Sequence, residues 1–130
     1  MTRAEAAQMF YNLLRDKTVY KTIAFSDVKG NEWFADAVHT RAHMGVISGY
    51  PDGTFKPNAN ITRAEVTCIV NNMLGRFPDE DYIDDRHNDI HDFVDLAESY
   101  WAYYPIMEAT NGHDYTKGYQ TEDWHNNWYR

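Results

Sequence analysis

TRAEAAQMFYNLL (Thr2–Leu14) and TRAEVTCIVNNML (Thr62–Leu74) are two copies of one pattern. Moving the first onto the second lays Ala6, Met9, Phe10, Leu13 and Leu14 on Val66, Ile69, Val70, Met73 and Leu74. Both sets follow the i, i+3, i+4, i+7, i+8 spacing of one helical face, so each fragment is expected to be an amphipathic helix that buries that face. The opening letters supply the start signal. Thr2 with Glu5, and Thr62 with Glu65, have the spacing of a capping box, in which the Thr oxygen accepts one backbone N–H and the Glu carboxylate another. Cys68 falls where the first copy has Gln8, off the stripe, and reads as an edge filler rather than a nucleophile.

The arginine is the odd letter. Arg3 and Arg63, at the first helical position, add positive charge to the positive end of the helix dipole, at a cost of about 0.3–1 kcal/mol. A single case is explained by a side chain snorkelling outward to a carboxylate such as Asp27 or Asp52. The same choice made twice points to use. A guanidinium beside unpaired helix N–H groups is an anion site that grips a carboxylate or phosphate in a fork.

A second element also recurs. FSDVKGNEW (Phe25–Trp33) matches FVDLAESYW (Phe93–Trp101), with Phe, Asp and Trp at the same spacing. Helical runs are expected after each Trp, over Phe34–Ala42 and Ala102–Ala109, with Asn31 and Ser99 as N-caps. Pro105, inside the second run, is expected to kink it. Between the two element types lies GVISGYPDGTFKPNAN (Gly45–Asn60). Gly45 reads as a helix terminator, Val46 and Ile47 as buried, and Asp52-Gly53 as a tight turn. One unit therefore runs Phe-x-Asp lead-in, Trp helix, glycine loop, TRAE helix, and such units stack around a shared core.

The totals bound the class. At 130 residues the chain makes one modest domain. A net charge of -8 lacks the basic footprint of a nucleic-acid binder and argues against charge-driven adhesion to an anionic membrane. The single cysteine forms no internal disulfide. No apolar run is long enough to span a bilayer, and the N-terminus does not read as a signal peptide. Met1 stands directly before a helix start, so the first unit is expected to be the back half of something longer.

The order FSDVKGNEWFADAVHTRAHMGVISGYPDGTFKPNANITRAEVTCIVNNML (Phe25–Leu74) closely resembles the S-layer homology domain. The resemblance rests on Phe-x-Asp, the Trp helix, the Gly-x-x-Ser-Gly-Tyr-x-Asp-Gly-Thr-Phe-x-Pro loop and Ile-Thr-Arg-Ala-Glu, a specific series of fixed points. It implies residues 1–24 as the second half of a first repeat, 25–76 as a complete repeat, 77–92 as an acidic linker, 93–118 as the first half of a further repeat and 119–130 as an aromatic-rich tail. The tail is expected to be loop, with Trp124 and Trp128 packing back on the body. The third repeat departs from the pattern, having neither the glycine loop nor a TRAE.

What the family resemblance implies is an all-α domain of helix-loop-helix repeats around a pseudo-threefold axis. The implied role is non-catalytic anchoring of an exported protein at the bacterial cell wall, with no cofactor. The implied ligand is an acidic, pyruvylated secondary cell-wall polysaccharide, its carboxylate held by Arg3 and Arg63 in grooves between repeats. Arg3 is then expected to face the Trp33–Asn60 segment and Arg63 the Trp101 segment. Trp33 and Trp101 have the ring to stack on a sugar, though the first expectation for each is a core anchor. Asp52 and Gly53 are turn residues first and sugar contacts second.

Two other classes are weighed. His87 and His91 share one helical face amid carboxylates in DDRHNDIHD (Asp84–Asp92), the raw material of a metal site. The spacing is common, the stretch lacks the ligand order of a calcium loop, and a solvated, flexible acidic linker explains it as well. The other class is protein–protein assembly: incomplete repeats leave apolar helix faces short of partners, and homo-oligomerisation completes them.

Overall fold

Thr2, in extended backbone at φ -82° and ψ 163°, accepts the Glu5 N–H at 3.2 Å and starts α1, Arg3–Asn12. The remaining elements of this computed structural model are α2 (Ala35–His43), α3 (Arg63–Leu74), α4 (Glu80–Arg86), α5 (Tyr103–Thr110), β1 (His113–Lys117) and β2 (Glu122–Asn127). The structure describes residues 1–86, 90, 93–117 and 122–127. Two compact units emerge, Met1–Thr62 and Arg63–Arg130. The architecture is the expected helical one, extended by a β-hairpin that the sequence did not announce.

In the first unit α1 packs on α2. Small residues are prominent among those the two helices bury: Ala4, Ala6 and Ala7 on α1, and Ala35, Ala37, Val38 and Ala42 on α2. Small side chains let the two axes approach closely. This corrects the expected stripe, because Met9 and Leu13 are exposed while Phe10 is buried. One partner helix covers the alanine side of α1 and leaves the far edge in solvent. α1 has no basic residue in its last turn. Arg41, buried on α2, supplies that charge by donating Nε (3.0 Å) and Nη2 to the Phe10 carbonyl, at the negative end of the helix.

Gly45, at φ 72°, ends α2, and Val46, Ile47 and Phe55 from the loop that follows complete the core. The expected N-cap at Asn31 is corrected. α2 begins after Phe34, with no side-chain cap. Asn31 instead belongs to a turn closed by the Glu32 carboxylate, which accepts the N–H groups of Lys29, Gly30 and Asn31.

In the second unit α3 and α4 both pack on α5. On α3 Ile69 is buried, while Val70 and Leu74 are exposed. Ser99 does not cap α5, which starts after Ala102. Pro105 therefore sits in the first turn of α5, where its missing N–H has no intrahelical partner to lose; the helix runs unbroken, and the expected kink is corrected. The Pro105 carbonyl accepts Asn71 Nδ2 at 2.9 Å.

The acidic stretch is not simply a solvated linker, since it carries α4 and places Ile83 and Ile90 in a core with Tyr103, Met107 and Trp124. In the tail, Glu122–Asn127 is strand rather than the expected loop. β1 and β2 pair antiparallel, and Asp79 joins the parts by accepting the Tyr82 N–H (3.0 Å) at the start of α4 and the Trp124 N–H (2.9 Å) from β2. Trp124 is buried as expected; Trp128, His87 and His91 lie outside the described residues.

Candidate functional site

The loop between α2 and Thr62 is built around Arg3. Its Nε donates to the Phe55 carbonyl at 2.8 Å and its Nη2 to the Ser48 carbonyl at 2.7 Å. The guanidinium carbon lies 4.6 Å from the Phe55 ring centre and 4.8 Å from that of Tyr50. Arg3 is only 6% exposed. A charge buried that deeply is tolerated because carbonyl oxygens and two aromatic faces replace its water. Arg3 thus meets the Trp33–Asn60 segment as expected, through Ser48, Tyr50 and Phe55.

Other residues hold the same loop. Asp27, of the Phe-x-Asp lead-in, accepts the N–H of Phe55 (2.8 Å) and of Lys56 (2.8 Å), and Lys56 takes a left-handed φ of 56° there. Asp52 accepts the Thr54 N–H (3.0 Å) and hydroxyl (2.6 Å), and these bonds hold its carboxyl below the usual range. Both carboxylates suggested as outlets for an arginine are therefore engaged by the loop. Gly53 sits at φ 82°, a conformation glycine adopts without penalty. At Gly49 a Cβ would stand 2.4 Å from the Phe25 ring and 2.6 Å from the Thr54 carbonyl, so the lead-in Phe is seated on a bare backbone.

The second arginine has different surroundings. Arg63 is exposed at the start of α3, and no hydrogen bond, ion pair or ring contact holds its side chain among the described residues. Thr62 is exposed and Glu65 half-buried. The matching Phe93 and Asp95 are exposed as well, with no glycine loop to hold. Arg63 and Trp101 belong to the same unit, and no hydrogen bond, ion pair or ring contact joins them among the described residues.

The tryptophans overturn the core expectation. Trp33 is 65% exposed and Trp101 is 60% exposed. Each ring meets its neighbour, Trp33 edge-on to Phe34 at 5.2 Å and Trp101 tilted against Tyr100 at 5.8 Å, and keeps a free surface. Both precede their helices, in the turn, where the buried positions go to Phe34, Ala35, Ala102 and Tyr103.

Sequence reading passed over Asp27, Ser48, Tyr50 and Phe55 as site-forming residues. The repetition of Phe-x-Asp was a signal for Asp27, and the Gly-x-x-Ser-Gly-Tyr-x-Asp-Gly-Thr-Phe loop pattern contains Ser48, Tyr50 and Phe55 without saying that they receive Arg3. Among the described residues no group of three His, Cys, Asp or Glu is placed to hold a metal, and no helix is long and apolar enough to cross a membrane.

Residues 24–67 match the sequence profile of the S-layer homology domain. The chain is 35% identical over 121 residues to the cellulosome-anchoring protein of Acetivibrio thermocellus, covering 88% of this chain and 25% of that protein. It is 31% identical over 125 residues to cell surface glycoprotein 1 of the same organism, covering 88% and 5%. The middle cell wall protein of Brevibacillus brevis is 33% identical over 82 residues, covering 60% and 8%. The chain spans a quarter or less of the length of each of these three relatives.

Proposed function

Through residues 24–67 the chain belongs to the S-layer homology family of non-catalytic cell-surface modules, and we propose that it anchors its parent protein by binding an acidic secondary cell-wall polysaccharide. Arg63 is the proposed anion contact. The observation that carries this reading is its exposed place on the first residue of α3, beside helix N–H groups and without a protein partner among the described residues. A pyruvyl or uronate carboxylate fits that site as a charge and as a hydrogen-bond acceptor. The exposed rings of Trp33 and Trp101 are the proposed sugar-stacking surfaces. Arg3 has two donors committed to carbonyls, so its proposed part is to shape the loop carrying Asp52 and Gly53 at the polymer's edge. The names of the relatives, which speak of anchoring, cell surface and cell wall, support the same location.

The test is retention on purified Gram-positive sacculi, before and after removal of the secondary polymer. Binding that needs the polymer and falls with Arg63→Ala supports the reading. Binding by bare peptidoglycan, or by Arg63→Ala as well as by the parent, contradicts it.

A second reading, self-assembly, draws on Met9 and Leu13 of α1, which leave an apolar edge in solvent. Its check is the mass by light scattering across a concentration series. A constant monomer mass removes it.

A further inference from the structure

The second unit has a cavity outside the family match, of about 360 Å³, where α5 ends and β1 begins. Ligand pockets run from roughly 300 to 1,000 Å³, so the volume suits a small guest. Arg76, Thr110, Asn111, Gly112, His113 and Tyr115 line it with Ala109.

Its frame is fixed from behind. Glu108 is fully buried; Arg76 donates Nε to its Oε1 at 2.8 Å and Nη2 to its backbone carbonyl at 3.1 Å. His113 Nδ1 donates to the Asn111 carbonyl at 2.7 Å, and its ring stacks on Trp124 at 3.7 Å with 17° between planes. These contacts hold Arg76 and His113 still. They leave Arg76 Nη1 without a protein partner among the described residues, in a side chain about one-third exposed.

The front wall is aromatic. Tyr115 is 45% exposed, and its ring meets the edge of His113 at 5.9 Å. The β1–β2 register shifts between Asp114 and Tyr115, a bulge of the kind that re-aims a side chain beside a site. Thr110 donates its hydroxyl to the Ile106 carbonyl at 2.8 Å, which turns its oxygen lone pairs into acceptors for a guest.

We propose that this cavity binds a neutral pyranose, with the sugar's apolar face on Tyr115 and its hydroxyls on Arg76 Nη1 and Thr110 Oγ1. One exposed ring with a few fixed donors and acceptors is what a sugar needs. Neutrality follows from the local charge: Arg76 and, at 3.4 Å, His113 Nε2 both already face the buried Glu108 carboxylate, so an acidic sugar sets a second negative charge against groups that carboxylate already engages. Only the source of the sugar, a unit of the same wall polymer, rests on the function proposed above; the cavity's chemistry does not.

The experiment is a ¹H–¹⁵N NMR titration of the whole chain with glucose, galactose, mannose, N-acetylglucosamine and, separately, glucuronate. The expected result is saturable shifts at Thr110, Asn111, Gly112 and Tyr115 with at least one neutral sugar, and weaker shifts with glucuronate. Tyr115→Ala is expected to weaken binding roughly tenfold, with Tyr115→Phe retaining the stack. Thr110→Val keeps the wall's shape, and a lower affinity in that variant separates contact from folding. Arg63→Ala is expected to leave this titration unchanged. Absence of shifts with every sugar, tighter binding of glucuronate, or shifts gathered at Arg63 instead overturns the proposal. If the shifts appear while the parent chain fails to hold sacculi, the sugar site stands and the wall-anchoring reading falls.

Discussion

The same four letters, TRAE, end in opposite environments in the two units. Arg3 lies beneath the Gly45–Asn60 loop, bonded to Phe55 and Ser48, whereas Arg63 stands in solvent. The helices themselves do not account for the difference. The second unit has no glycine loop to close over an arginine; its chain turns from α5 into the β-hairpin. The motif fixes where a helix starts, and the loop supplied to it decides whether the arginine becomes framework or surface. Each unit also meets the end of a helix with a borrowed cation: Arg41 reaches the last turn of α1, and Arg76 reaches that of α5.

The comparison is broken most severely at Trp124. It is buried with Ile83, Ile90, Tyr103 and Met107, so Trp124→Ala is expected to cost about 3–5 kcal/mol, read from denaturant unfolding of the hairpin unit. A loss below about 1 kcal/mol means that the hairpin is not part of that core.

Next is Arg3. Arg3→Ala strands two carbonyls and removes the cation between Tyr50 and Phe55, for an expected loss of about 2–4 kcal/mol in a urea titration. Arg3→Lys is expected to recover only part of it, because an ammonium does not reach both acceptors with the planar fork. Equal stability of parent and Arg3→Ala contradicts the framework role.

Gly49→Ala is expected to cost about 1–3 kcal/mol, since the Phe25 ring must shift, and the change is read as a lower thermal midpoint. The smallest effect is on pH. The bonds from Thr54 hold the Asp52 carboxyl below its ordinary value, so the folded group titrates lower than the unfolded one. Its contribution is present above the usual carboxylate range and is lost as pH falls through the lowered value. Amide exchange at Thr54 is expected to quicken over that acidic window, and Asp52→Asn is expected to flatten the response.

Local chemistry made the helices legible. A capping Thr, a Glu one turn on and an apolar stripe are written within a few residues, so α1 and α3 start where their letters say. The stripe's width was not legible, because which edge is covered depends on the alanines that α2 presents. Nor was the burial of Arg3, whose acceptors are 45 and 52 residues away. The hairpin escaped notice because HDYTK and EDWHNN have no apolar alternation. One buried tryptophan and the Asp79 bond stand in for it. Trp33 and Trp101 misled for a simpler reason: a tryptophan next to a helix start has the same composition whether its ring faces in or out.

The most direct test of the account is Arg63→Ala, measured twice on the same preparation: urea stability, and retention on polymer-bearing sacculi. The expected result is a stability within about 0.5 kcal/mol of the parent, as for an exposed side chain without a partner among the described residues, together with a marked loss of retention. An unfolded variant, or a stable one that binds as well as the parent, contradicts the claim that Arg63 is the anion contact.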